Sequence, residues 1–172
     1  MIKMKNKEKG VTLVTLAITV TILIIIAGIS FYSGKDTIKK AELEELKTNM
    51  LLIEAKAREY VEDATFKMGI NPTEVKKAEV RARVYAGNGE EGAQLAEGST
   101  YPIPSEFGIT DQSTCYWLTP EAQIKWGLDK IKIGTNEKYL IQFDEQNVTV
   151  EIYNTKGYQG KYSLTEIEKI QQ

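Results

Sequence analysis

The sequence contains no histidine, and its 172 residues include one cysteine, Cys115. A single cysteine excludes an intrachain disulfide. The lack of histidine excludes zinc sites built from Cys and His, and it removes the usual general base of serine and cysteine hydrolases. We therefore predict that the chain is not an enzyme and needs no metal or other cofactor.

Basic clusters of the kind that bind nucleic acid are missing from most of the chain. Four lysines and one glutamate give residues 1–10 a charge of +3, which leaves −5 for the rest of a chain whose net charge is −2. Nucleic-acid binders carry their basic residues on one continuous surface. Nucleic acid is therefore not the partner that we expect.

Charge of either sign is absent between Gly10 and Gly34. Residues 11–29 are Val, Ile, Leu, Thr, Ala and Gly, and residues 30–33 extend the run to 23 residues. As a helix this run would cover roughly 35 Å, and the hydrocarbon core of a bilayer is about 30 Å thick. We predict a transmembrane helix half at residues 11–33. The lysines before it place the amino terminus in the cytoplasm and the later residues outside.

The junction between the basic start and the apolar run reads Lys9-Gly10-Val11-Thr12-Leu13. It resembles the class III signal of type IV prepilins and type II secretion pseudopilins. The resemblance implies that residues 1–10 are a leader, that a prepilin peptidase cuts between Gly10 and Val11, and that Val11 is then N-methylated. Gly10 suits such a cut because it lacks a side chain and can lie extended in a protease cleft.

One position departs from the family pattern. The fifth mature residue of most pilins is Glu, which is thought to pair with the amino terminus of a neighbouring subunit, and here it is Thr15. A threonine hydroxyl can hydrogen-bond to its own helix in lipid, but it supplies no charge. Thr15 occupies this assembly position, and we therefore expect the chain to self-associate weakly.

Two other interpretations of this region stay open. A secretory signal peptidase could cut near residues 27–30, although the apolar core of a signal peptide is usually shorter. A simple signal anchor could also begin with the same residues by accident. Both would leave the chain without a prepilin-type cut.

Residues 34–69 are rich in Ala, Leu, Glu and Lys, and we predict that they form the amphipathic half of one long helix. Gly69 is the expected C-cap, and Asn71-Pro72 prevents continuation. Coiled-coil association through an apolar stripe on this half is one possibility, and packing beneath the carboxy-terminal domain is the one that we favour. The stripe consists of Leu43, Leu46, Met50, Ile53, Ala57, Tyr60 and Ala64.

Residues 70–172 form the predicted extracytoplasmic head. Asn71 as N-cap and Pro72 in the first turn predict a helix, although the alternation at residues 80–84 would also suit a strand. Residues 87–114 are expected to be a long loop. Thr119-Pro120-Glu121 predicts a short helix that ends near Trp126.

Residues 138–143 and 148–153 alternate polar and apolar side chains and predict a β-hairpin. Residues 155–157 are expected to turn the chain, and Ser163 to begin a last short helix. The predicted fold class is α+β. A long amino-terminal helix, with a transmembrane half and an amphipathic half, carries a small head with short helices and an antiparallel hairpin.

Two places in the head carry side chains with chemical potential. Asp144, Glu145 and Asn147 could supply oxygen ligands to calcium, but their spacing does not match an EF-hand, and a solvated turn is the interpretation that we favour. Cys115 has no histidine available as a base. We therefore expect a buried structural thiol rather than a nucleophile.

The resemblance and the composition together predict a structural protein. We expect a minor pilin or pseudopilin of a type IV pilus, type II secretion or competence-like assembly. Its partners would be a prepilin peptidase, other pilin-like subunits and membrane lipid. It would be a single-pass protein of the cytoplasmic membrane and, after assembly, part of a surface filament. The alternative is a single-pass tether whose extracellular domain binds a partner without polymerising.

Overall fold

The computed structural model describes residues 13–87, 89 and 91–170, with the backbone alone for residues 13–18 and 25–36. The chain divides into two compact units, Met1–Glu42 and Leu43–Gln172. Helix α1 spans Leu13–Met68. Among the side chains that are described, no helix offers a stretch long and apolar enough to cross a membrane.

The second half of α1 buries one continuous stripe against the sheet of the same unit. Val61 is fully buried and belongs to the stripe, whereas Tyr60, which we expected there, lies at its edge and is half-buried. Steps of three or four residues after Ala57 lead to residue 60 or residue 61. The helical period of 3.6 residues places residue 61 on the buried face. The expected packing beneath the carboxy-terminal domain is confirmed. The buried residues are Leu43, Leu46, Met50, Ile53, Ala57, Val61, Ala64 and Met68.

Helix α2 spans Glu74–Val84 and begins two residues later than predicted. Its N-cap is Thr73, whose side chain accepts a hydrogen bond from Lys76 N at 3.3 Å. Asn71 was the wrong choice because its φ of 53° is left-handed, while an N-cap residue needs extended backbone. Gly69 ends α1 as predicted, with a φ of 73° and its N–H donating to Thr65 O at 3.2 Å.

Five antiparallel strands form one sheet, in the order β1 (Ala96–Glu97), β2 (Cys115–Trp117), β3 (Tyr139–Asp144), β4 (Thr149–Tyr158) and β5 (Lys161–Ser163). The predicted hairpin is confirmed, with a register that runs from Tyr139↔Asn154 to Asp144↔Thr149. The turn predicted at residues 155–157 is wrong. Strand β4 continues past it through a register shift, and the chain turns at residues 159–160.

The segment predicted as a long loop at residues 87–114 contains strand β1 and two short 3₁₀ turns, Gly98–Thr100 and Ser105–Phe107. Tertiary contacts hold it, because Trp117 Nε1 donates to Gly98 O at 3.1 Å and the Phe107 ring stacks on Tyr153. Such contacts leave no local sequence pattern, which is why the segment reads as a loop.

Two short helices complete the head. Helix α3 spans Pro120–Lys125 and α4 spans Leu164–Glu168. Both begin as predicted, because Thr119 and Ser163 accept hydrogen bonds from the backbone of their own first turns. The α+β class is therefore confirmed, with a five-stranded antiparallel sheet and several helices.

The sheet has apolar side chains on both faces. Tyr139, Ile141 and Phe143 join the α1 stripe in the larger cluster. Leu140 on the opposite face joins a smaller cluster with Phe107, Cys115 and Trp117, beneath the 98–113 segment. Because alternate residues of a strand point to opposite faces, β3 supplies both clusters.

Candidate functional site

The predicted processing site, Gly10 and Val11, lies outside the described residues. Thr15 lies in helix α1, in the part for which only the backbone is described. The cleavage, methylation and assembly roles of these three residues therefore stay predictions.

The nearest described side chains form an exposed apolar segment in α1. All six consecutive residues from 19 to 24 are exposed. Successive helix residues are about 100° apart, so six of them surround the whole helix. Leu23 and Ile24 are 63% and 66% exposed, whereas Met50 and Ile53 of the same helix are at 0%. The four apolar side chains of the segment, Val20, Ile22, Leu23 and Ile24, are therefore not covered by the described part of the chain, and contiguous exposed apolar surface is typical of a protein or membrane contact.

A polar groove of 1430 Å³ lies within the second unit, between the end of α1, helix α2 and the β3–β4 turn. Arg81 donates to Glu145 through Nε to Oε1 at 2.8 Å and through Nη2 to Oε2 at 2.6 Å. The Tyr85 hydroxyl donates to Oε1 of the same carboxylate at 3.3 Å. Both charged side chains are largely buried, at 18% and 10% exposure. A fork of two parallel hydrogen bonds fixes the turn against α2.

The protonation of this cluster follows from its contacts. The hydrogen bond to Glu145 raises the pKa of Arg81 above its usual range. Burial, followed by the charge of Glu145, raises the pKa of Tyr85, so its hydroxyl stays a donor at neutral pH. The cluster is an ion pair whose carboxylate also accepts a hydrogen bond from one phenol.

The β3–β4 turn differs from the solvated turn that we expected. Asp144 Oδ1 accepts hydrogen bonds from the N–H groups of Gln146 and Asn147, and Oδ2 accepts one from Asn147 Nδ2 at 2.6 Å. Glu145 is not solvated, because Arg81 holds it. Within the described residues, no three Cys, Asp or Glu side chains cluster as metal ligands would.

Cys115 is a buried thiol, as predicted, with 1% exposure. Burial raises its pKa to about 12, and Sγ donates to Asp111 O at 3.6 Å. A thiol that stays protonated at neutral pH is a poor nucleophile.

Sequence reasoning missed Arg81 and Tyr116. Tyr116 lies in the short apolar run at residues 115–118, and no local sequence pattern marks Arg81. The only signal was the acidic Glu145 in a turn, and its partner is 64 residues away.

Comparison with protein-family models, with curated proteins and with solved structures finds no match in any of the three.

Proposed function

We propose that the chain is a membrane-anchored, pilin-like structural subunit, a minor pilin or pseudopilin of a type IV pilus, type II secretion or competence-like assembly. The observation that carries the proposal is the helical segment at residues 19–24, which is apolar or hydroxylated and exposed all round. It lies inside the uncharged run that follows the Lys9-Gly10-Val11-Thr12-Leu13 junction. Lipid, or a bundle of similar helices, would cover such a surface on every side.

In this proposal the cut after Gly10 removes the charged leader and keeps the apolar helix attached to the head. Before assembly the segment lies in lipid. In a filament the same surface packs against the equivalent segments of other subunits. The head stays folded throughout, because the Met50 and Ile53 side chains of α1 are already covered by their own sheet.

A second candidate is the tether that binds an extracellular partner without polymerising. The neutral Thr15 favours it, because a buried amine at Val11 would find no carboxylate on an identical subunit. A minor subunit does not need an acid of its own, because the amine of its Val11 can pair with the glutamate of a different subunit.

Processing tests the proposal directly. The full chain would be expressed in membranes with and without an active prepilin peptidase, followed by intact mass measurement and amino-terminal sequencing. We expect a chain that begins at Val11, only with the peptidase. Gly10→Val should block the cut, and Gly28→Val should not. A chain that keeps Met1 beside an active peptidase contradicts the proposal, and a cut near residues 27–30 identifies a secretory signal instead.

A further inference from the structure

A second cavity, of 450 Å³, lies in the head between helix α2, the 98–100 turn and the start of β2. Its apolar wall includes Ala78, Ala82 and Cys115. Gly98 brings the turn so close to β2 that a Cβ at this position would lie 2.8 Å from Cys115 O. The wall therefore depends on a residue without a side chain. The volume lies in the range of small-molecule sites, about 300–1,000 Å³.

Tyr116 lines this cavity and has an unusual hydroxyl. The residue is only 5% exposed, and its ring packs edge-on against Tyr85 and Phe143, with centroids 5.1 and 5.8 Å away. The buried tyrosines Tyr85 and Tyr139 donate their hydroxyls to carboxylates. Within the described residues the Tyr116 hydroxyl has no protein hydrogen-bond partner, but it is open to solvent, because the buried side-chain atom that lacks a partner there is Trp126 Nε1. Burial raises its pKa to about 12, so it is a neutral donor at physiological pH.

The charges around the cavity select against anions. Arg81 lines it, but its guanidinium is held in the bidentate pair with Glu145. Glu97 also lines it and is exposed, without a hydrogen bond or ion pair to the described residues. An anion would meet a neutralised cation and a free carboxylate. A cation would meet the same neutralised pair and would be attracted by Glu97, but an ammonium group has no acceptor to offer to the Tyr116 hydroxyl. A neutral molecule with hydroxyl groups avoids the repulsion by Glu97 and supplies that acceptor.

The uncharged polar groups favour a ligand that both donates and accepts. The hydroxyl of Tyr116 is free to donate to an acceptor, and the exposed carboxylate of Glu97 is free to accept from a donor. Ser99, Gln112 and Ser113 on the same rim offer further hydroxyl and amide groups. A ligand with several hydroxyls satisfies them all, because each hydroxyl donates once and accepts twice.

We propose that this cavity binds a neutral sugar residue of a saccharide. Arg81 also lines the larger groove, together with Gln142, Thr149 and Glu151. The proposal concerns the head and goes beyond membrane anchoring and assembly. Failure of sugar binding would leave the processing test unaffected, and the reverse also holds.

Saturation-transfer difference NMR on the full chain, purified without glycoside detergents, tests this site. The probes are the methyl glycosides of glucose, galactose and N-acetylglucosamine. We expect saturation transfer to at least one of them. Tyr116→Phe removes the hydroxyl and keeps the packed ring, and Ala82→Leu fills the cavity from an exposed helix position. Each should weaken binding at least tenfold.

Two matched controls lie outside the cavity. Tyr158→Phe and Ala55→Leu should bind like the unaltered chain, and circular dichroism should show that all four variants are folded. Absence of transfer to every probe would overturn the proposal. So would equal transfer in the Tyr116→Phe and Ala82→Leu variants, or binding of inorganic phosphate or spermidine at this cavity in place of the glycosides.

Discussion

Arg81 in helix α2 and Glu145 in the β3–β4 turn form a two-pronged ion pair, with N···O distances of 2.8 and 2.6 Å. The pair joins two elements that are 64 residues apart in the chain. Thr65 Oγ1, near the end of α1, donates to Val61 O at 2.7 Å and lies 3.5 Å from the backbone oxygen of the same glutamate. Glu145 is therefore the point at which α1, α2 and the hairpin meet.

Glu145→Gln should destabilise the head. The amide keeps the shape of the side chain but leaves the largely buried guanidinium of Arg81 without its counter-charge. Hydrogen bonds to charged groups contribute about 1.5–3 kcal/mol, and we expect a loss of that order in the free energy of unfolding. Urea unfolding measures it. Glu79→Gln, at an exposed position of the same helix α2, is the control and should change stability by less than about 0.5 kcal/mol. Equal effects of the two would show that the ion pair is not structural.

Neighbouring residues of α1 should differ sharply in their sensitivity to truncation. Ile53 is fully buried and Leu52 is 46% exposed. Ile53→Ala should cost about 2–5 kcal/mol, because it removes buried methyl groups and leaves a cavity. Leu52→Ala should cost far less. Thermal or urea unfolding gives both values, and the reverse order would mean that α1 presents its other face to the sheet.

Alkaline pH should unfold the head in a definite window. Burial raises the pKa values of Cys115, Tyr116 and Tyr153 to about 12, from ordinary values of 9.0 for Cys and 10.0 for Tyr. The folded state holds these protons more tightly than the unfolded state, so stability is complete below about pH 9 and declines as the pH rises towards 12. Burial shifts the pKa values of Tyr85 and Tyr139 in the same direction.

Unfolding midpoints at several pH values from 8 to 12, with phenolate absorbance recorded in parallel, check this expectation. The buried tyrosines should ionise together with unfolding. A midpoint that stays constant to pH 12 would contradict it.

Assembly should depend on residue 15. Thr15→Glu supplies the carboxylate that the amine of Val11 lacks on an identical subunit, and in an apolar bundle that charge pair is weakly screened. We expect few or no filaments from the unaltered chain alone, some incorporation beside a Glu-bearing subunit, and more self-assembly for Thr15→Glu. Sedimentation and electron microscopy measure this. Thr15→Ser, which adds no charge, is the control. Abundant filaments of the unaltered chain alone would show that a neutral residue here does not limit assembly.

Much of the fold follows from local patterns. Thr119 and Ser163 predict the starts of helices α3 and α4, because a capping hydroxyl hydrogen-bonds to a backbone N–H within three residues. The hairpin is visible because its residues alternate between a core and an outer face. The apolar stripe of α1 is visible as apolar residues at helical spacing, because one face of the helix lies against the core. In each case the interacting groups are close in sequence, and the sequence alone determined the α+β class and these elements.

Only the tertiary structure decided which polar residues come together. The pairing of Arg81 with Glu145, the cavity beside Tyr116 and the ordered path of residues 96–107 all depend on segments that are distant in sequence. The chain can bury a charge or a hydroxyl only where folding brings a partner to it, and that partner leaves no mark on the neighbouring residues. Local sequence therefore reveals the elements of this head, and the packing between them decides its site.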